Sequence, residues 1–180
     1  MKVSLNWLRE FVNVDASPEE IAERLTFSGT EVESIERIGT DAEGVVAAKI
    51  EKVNPHPEAD KLVVCRVDSG AGKVNVVCGA RNFEEGDISL LARPGTVLPG
   101  GIKVGSRKIR GVQSDGMLCA EDELGFSDDH SGIMILPRDV EPGIGMVELA
   151  GPADVIFGLE VTWNRPDCLS ILGIARELSA

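Results

Sequence analysis

The stretch HPEADKL at residues 56–62 opens the part of this chain that decides its fold. VVCGARN at 76–82, LPGG at 98–101 and RKIRGVQSDGMLCAEDELG at 107–125 complete it. Around these strings, short runs of Val, Ile and Leu with a period of two alternate with Gly- and Pro-rich turns, as strands joined by tight connections do. Working outward, GVVAAKIEKV from Gly44 reads as a first strand and NPHPEAD as the turn after it. KLVVCRVDSG is a second strand, Gly70 to Lys73 a hairpin turn, and VNVVCGA a third strand. GDISLLARPG is a fourth, closed by Pro94-Gly95, and the run around Ile102 to Arg110 makes a fifth hairpin or strand, with Gly101 and Gly105 as turn residues. Five strands within about 80 residues suffice for a small barrel. GMLCAEDELG predicts a short helix or turn, and residues 127–143 a loop, a short strand and a Pro/Gly turn.

The flanks follow a different rule. Leu5, Leu8 and Phe11 or Val12 recur at helical spacing, with Trp7 on that face or at its edge. Ser17 is the expected N-cap of a second helix, with Pro18 first in it and Glu19 and Glu20 in its opening turn. That helix carries Ile21, Ala22 and Leu25 and stops at Gly29. EVESIERI at 31–38 predicts a strand with Val32, Ile35 and Ile38 as its apolar positions. Beyond the middle segment, DVIFGLEVTWNRPD predicts a strand ending in a turn. CLSILGIARELSA predicts an amphipathic helix faced by Leu169, Leu172, Ala175 (or Ile174) and Leu178. It runs to Ala180 without a C-cap, and the chain is expected to be part of a longer one.

The 180 residues can bury a real core in one or two domains. Aromatic content is only 4% with no Tyr, so that core must rest on Val, Ile, Leu and Ala. The net charge of −12 argues against a bare RNA-binding module, which would carry a basic footprint. Its distribution matters more than its sum. Residues 40–125 are the least acidic part, and Lys103, Arg107, Lys108 and Arg110 fall between Ile102 and Arg110 with no acid among them. The acids gather at 84–87 and 121–123, so a barrel here can still present a positive face. Cys65, Cys78, Cys119 and Cys168 lack zinc spacing and read as buried free thiols. No apolar run reaches the ~18–20 residues that span a bilayer, and the first residues lack a signal core, which points to the cytoplasm.

The four strings of the middle segment, in their order and spacing, resemble the tRNA-binding OB domain found in several tRNA synthetases and free tRNA-binding proteins. The flanks narrow the resemblance. MKVSLNWLREFV with SPEEIAERLTFSGTEVESIERI is similar to the amino terminus of the bacterial phenylalanine–tRNA ligase β-subunit family. LEVTWNRPDCLSILGIARELSA is similar to the next piece of that subunit, matching at Asn164 to Asp167 and at Gly173 to Glu177. Trp163 departs from it, standing where a smaller residue, often Pro, is the rule. The resemblance implies an α+β fold: a five-stranded OB-type β-barrel, residues 40–150, inserted in a discontinuous small α/β domain made of 1–39 plus 151–180. It further implies an α2β2 ligase that joins phenylalanine to its tRNA with ATP and Mg2+. Its partners would be tRNA and the α subunit, with neither DNA nor membrane. The fragment itself would carry no cofactor and no catalytic residue, since aminoacylation belongs to the α subunit and editing to later parts of β.

RNA binding calls for cations at phosphates and donors at ribose or base edges. Lys61, Arg81, Asn82, Lys103, Arg107, Lys108, Arg110 and Ser114 are the candidates on the barrel, with Met117 placed to pack under a base or ribose. Against each stands the common case of a merely solvated surface residue. At alternate strand positions Lys108 and Arg110 share a face, and Arg107 points to the other. His56 could donate to phosphate or fix its Pro-bracketed loop, and the loop role is favoured. Asp60 is expected to hold that turn, and His130 to have only solvated neighbours. Asp128, Asp129 and His130 are adjacent and project apart, so no metal site is expected there. Ser114 lacks a nucleophile-elbow context, and LPGG is not a nucleotide phosphate loop. The expected role is accessory tRNA binding with structural support. The alternatives are a protein-interaction scaffold barrel that barely touches RNA, motivated by the acidic charge, and a stand-alone tRNA-binding chaperone.

Overall fold

Segments of different periodicity sort into different elements in the computed structural model, which describes residues 1–39 and 42–180. Thr40, the expected start of the middle domain, lies with Asp41 outside the described residues. In chain order the elements are β1 (Lys2–Ser4), α1 (Leu5–Arg9), α2 (Pro18–Phe27), β2 (Glu31–Ile38), β3 (Val45–His56), β4 (Ala59–Asp68), β5 (Lys73–Cys78) and β6 (Ile88–Ala92). They continue as β7 (Ser106–Ile109), β8 (Val112–Asp115), β9 (Met117–Leu118), β10 (Ile135–Leu136), α3 (Met146–Ala150), β11 (Asp154–Glu160) and α4 (Ile171–Ser179). Two compact units result: Met1–Ile38 with Ala153–Ala180, and Gly39–Pro152. No helix among the described residues is long and apolar enough to cross a membrane.

The first unit is an antiparallel sheet in the order β1-β11-β2 with helices packed on it. Its central strand comes from the second flank, so neither flank has a complete sheet of its own. α2 starts as its sequence dictates. Ser17 Oγ accepts the Glu20 N–H at 3.2 Å, and the Glu20 carboxylate accepts the Ser17 N–H at 2.8 Å. Such a cap contributes about 1 kcal/mol. Val32 and Ile35 are three apart in a strand and yet both pack against the core. A β-bulge explains this: Ser34 pairs with Gly158 and Val32 with Leu159, so Glu33 is the extra residue. Phe157, Leu159, Leu8, Ile21, Leu25 and Ile174 fill the interior.

The last helix corrects one expectation. Its buried positions are Ile174 and Ala175, flanked by Ile171 and Leu178, whereas Leu169 and Leu172 are exposed. Ser170 caps α4, so the helix begins at Ile171, later than the CLSILGIARELSA stretch would have it. Arg165 then ties the two similar strings together. Its guanidinium donates to Asp167 at 2.9 Å, Glu177 at 2.6 Å and the Ser28 carbonyl at 3.4 Å. Gly173 is needed for this approach, because a Cβ there would lie 1.8 Å from the Asp167 carbonyl oxygen.

The second unit holds a six-stranded antiparallel sheet, β10-β6-β3-β4-β5, with β9 beside β10 on the outer edge of β6. β7 and β8 form a separate hairpin. The expected five-stranded barrel is therefore met only as a mostly antiparallel, multi-stranded β unit, with no closed ladder among the described residues. β5 and β8 instead meet through a side chain, Ser114 Oγ accepting the Val77 N–H at 3.0 Å. All five residues of β6 are buried because both its faces are covered. Leu91 joins the core of Ile50, Val63, Cys65 and Val76, while Leu90 and Ala92 join that of Leu98, Val104, Leu124 and Met146. The predicted NPHPEAD turn is shorter than expected. β3 runs on to His56, leaving only Pro57 and Glu58 between the strands. Beyond Lys49 only β4 flanks β3, so Pro55 interrupts no second ladder. All four cysteines are buried and free, and burial pushes the Cys65 and Cys119 thiols up to about 12.

Candidate nucleic-acid interface

The two-residue turn between β3 and β4 gathers the basic side chains. His56 ends β3 and is 5% exposed. The Glu58 N–H donates to its Nδ1 at 3.1 Å, which leaves that nitrogen without a proton. Nε2 therefore carries the hydrogen and donates to the Ile109 carbonyl at 3.0 Å. This favours loop fixing over phosphate binding for His56. The bond also brings the tip of the β7–β8 hairpin onto the turn.

That tip is Arg110-Gly111, with φ of 44° and 83°. Two consecutive positive φ values are those of a type I′ turn, whose twist matches the strands it joins. Arg110 is the one non-glycine with positive φ among the described residues. A left-handed conformation costs a side-chain-bearing residue about 1–2 kcal/mol. Its Nη1 recovers a bond to the Glu58 carbonyl at 3.1 Å. From the other side, Arg81 Nη2 donates to the Asp60 carbonyl at 2.8 Å. What Asp60 contributes here is its main-chain carbonyl, as the acceptor for Arg81. A guanidinium has five N–H donors, so one bond to a carbonyl leaves most of the set for phosphate.

Lys61 is exposed on β4 next to Asp60, and Lys108 is exposed on β7 two residues before the tip. Lys61, Arg81, Lys108 and Arg110 are thus brought to one turn from three separate segments. Glu58 and Asp60, also exposed, moderate the charge. The hairpin register corrects the expected facing. Lys108 pairs with Gln113, on the face of Ser106 and Asp115, and Arg107 pairs with Ser114 on the opposite face. Arg110 is in the turn and shares no strand face with Lys108, because the strand ends at Ile109.

Other candidates fall elsewhere. Ser114 is 2% exposed; its hydroxyl accepts from Val77 and donates to the Gly116 carbonyl, so it is not offered to a ligand. Asn82 uses both ends of its amide on the main chain of Ile133, at 2.8 and 3.0 Å. This clamps the 130–133 loop, and the clamp was hidden because its partner is 51 residues away. Lys103 lies on a separate loop that folds back on itself through the Gly95 N–H and the Val104 carbonyl. Met117 is half-buried and lines a cavity of about 380 Å3 with Cys78, Gly79, Ala80, Glu123, His130 and Ile133. His130 is not merely solvated: Nδ1 lies 2.8 Å from the Asp122 carboxylate, whose hydrogen bond raises its pKa.

Among the described residues, Asp167, Cys168 and Glu177 bring three ligand-type atoms within 4.8 Å of one another. The Arg165 guanidinium already donates to all three, so the cluster is an ion-pair network with its cation built in. That guanidinium holds the Asp167 and Glu177 carboxyls below their ordinary range.

Residues 45–145 match the family model described as "Putative tRNA binding domain". Over its whole length the chain is 54% identical to the phenylalanine–tRNA ligase beta subunit of Syntrophotalea carbinolica and 51% identical to that of Anaeromyxobacter dehalogenans. It spans 22% of the length of each of these relatives. Among solved structures, the MetRS related protein from Pyrococcus horikoshii aligns with 56% of this chain and 85% of its own, at 21% identity and a TM-score of 0.41.

Proposed function

The chain belongs to the tRNA-binding-domain family, and from that premise we propose that it is the amino-terminal part of the β subunit of a bacterial phenylalanine–tRNA ligase. The whole-length similarity to such subunits supports this reading. In the full enzyme, an α2β2 assembly in the cytoplasm, phenylalanine would be joined to its tRNA with ATP and Mg2+. This part would supply accessory tRNA binding and structural support, without catalytic groups of its own. We read the 40–150 segment as an OB-type barrel whose seam between β5 and β8 is bridged by Ser114 rather than by a ladder. The flanks 1–39 and 151–180 form the discontinuous α/β domain that carries it.

The observation that carries the binding role is the convergence of Arg81 and Arg110 on the Asp60 and Glu58 carbonyls, two residues apart at the β3–β4 turn, with Lys61 and Lys108 near them in the chain. Cations held by main-chain bonds are already ordered and lose less entropy on meeting phosphate. Of the expected contacts we retain Lys61, Arg81, Lys108 and Arg110 as the phosphate set, with Arg107 and Met117 at its margin. Labelled phenylalanine tRNA titrated with the 180-residue chain, followed by anisotropy at low and near-physiological salt, tests this. Saturable, salt-sensitive binding is expected; none even at low salt overturns the tRNA role.

The net charge of −12 favours one other reading, an interaction scaffold that barely touches RNA. It predicts association with the α subunit or the rest of β, and no tRNA binding in the same titration.

A further inference from the structure

We propose that His56 is the positioning residue of the basic cluster: it sets the places of Arg110 and Arg81 without touching RNA itself. The inference rests on the tRNA-binding reading above.

Three segments meet at this imidazole. It belongs to β3, accepts the Glu58 N–H of the turn and donates to the Ile109 carbonyl of the hairpin, at 3.1 and 3.0 Å. The residues on either side of those contacts bear the guanidinium bonds. Glu58, whose N–H is held by Nδ1, offers its carbonyl to Arg110. Ile109, whose carbonyl is held by Nε2, is followed directly by Arg110. The backbone of Arg110 is thus anchored through one nitrogen, and the acceptor of its side chain through the other. Asp60, two residues beyond Glu58, receives Arg81. The same ring therefore governs cations from two loops far apart in sequence.

The ring can do this only in one form. With Nδ1 an acceptor and Nε2 a donor, both bonds are made by the neutral Nε2–H tautomer. A proton added at Nδ1 would face the Glu58 N–H, donor against donor. His56 is 5% exposed, so water cannot readily replace either partner. A residue that merely filled space would need neither nitrogen; this geometry uses both. Sequence alone leaves the point open, because Ile109 is 53 positions from His56.

The test is a double-mutant cycle in the full 180-residue chain, read by anisotropy with phenylalanine tRNA. His56→Leu removes both bonds, and His56→Gln offers an acceptor and a donor on one amide. Arg110→Gly is the second arm, and circular dichroism checks folding. His56→Leu is expected to weaken binding, His56→Gln to restore part of it, and Arg110→Gly to matter at least about threefold less in the Leu background than in the wild type. Imidazole 15N shifts should show a protonated Nε2 and an unprotonated Nδ1, and the Glu58 amide should exchange slowly. Additive effects in a folded cycle, or the other tautomer, would overturn the positioning role while leaving tRNA binding standing. A wild-type chain that binds no tRNA would overturn both. If His56→Leu does not fold, the cycle with His56→Gln and the wild-type tautomer decide the matter.

Discussion

Removing the two anchored arginines should change how tRNA binding depends on salt, by an amount the geometry sets. Arg81 and Arg110 are bonded at one turn, Lys61 and Lys108 lie near it along their strands, and each of the four can neutralise about one phosphate. Counterion release gives a slope of about −0.7 to −0.9 in log K against log salt for each phosphate met. Four contacts therefore predict a slope of about −3, or ~60-fold weaker binding at 200 mM than at 50 mM salt. The variant Arg81→Gln with Arg110→Gly leaves two cations, for a slope of about −1.5 and a loss of ~8-fold over the same range. The substitutions are chosen to spare the fold. Gln at 81 keeps a polar but uncharged side chain, and Gly at 110 accepts the φ of 44° more readily than Arg does. Lys103→Ala, on its separate loop, is the control and should keep the wild-type slope. Anisotropy at four or five salt concentrations measures all three proteins. A folded double variant with the wild-type slope would refute the assignment of this turn as the phosphate-binding face.

Ser114→Ala leaves the Val77 N–H without its acceptor at the β5–β8 seam, so calorimetry should show a loss of about 1–3 kcal/mol; an unchanged melting temperature would deny the seam its bridge. Gly173→Ala reverses the usual helix preference: Ala should gain about 1 kcal/mol in an open helix, but the 1.8 Å approach to the Asp167 carbonyl should make it destabilising. Circular dichroism melts of the variant measure this, and an unchanged or raised melting temperature would refute the steric reading. Arg165 lowers the pKa of Asp167 and Glu177 on folding, so their stabilisation is full above the ordinary carboxylate range and is lost as pH falls through the lowered folded values. Glu177→Gln should flatten that acid limb, and an acid profile identical to the wild type's would show that the ion pair does not contribute.

Local rules made much of the first unit legible. Ser17, Pro18 and Glu20 announced the start of α2, and all three take the expected cap positions. Periodicity alone is a weaker guide than a cap. Spacing puts Leu169, Leu172, Ala175 (or Ile174) and Leu178 on one face; Ile174, Ala175 and Leu178 do pack inward, but Ser170 caps the helix and Leu169 and Leu172 stay exposed. The three-residue gap between Val32 and Ile35 breaks a period of two, and a bulge at Glu33 puts both on one face. In the basic cluster, residue type was legible and arrangement was not. Lys and Arg could be picked out, but the bonds that gather them run from Arg81 to residue 60 and from Arg110 to residue 58. KI-RG-VQ does contain a hairpin signal, two residues ending in Gly between β-like runs. Arg at the first turn position masked it, since that position favours Asn, Asp or Gly.

The discontinuity of the first unit has a simple physical basis in its ladder. Ile38, the last residue of β2, pairs directly with Asp154, the first of β11. The chain leaves and re-enters that unit at directly paired positions of the ladder, so the intervening segment occupies the place of a hairpin loop. Loop-closure entropy grows only logarithmically, about 0.6 kcal/mol for each doubling of length, so a long insertion there costs little more than a short one. What cannot be spared is β11. It is the only strand that pairs with either β1 or β2 among the described residues, and it brings Phe157 and Leu159 to the centre of the core. A fragment ending at residue 152 would keep two strands with nothing between them. Binding measured on such a fragment would mix the properties of the basic turn with those of an exposed apolar flank, which is why the full chain is the proper object for testing the turn.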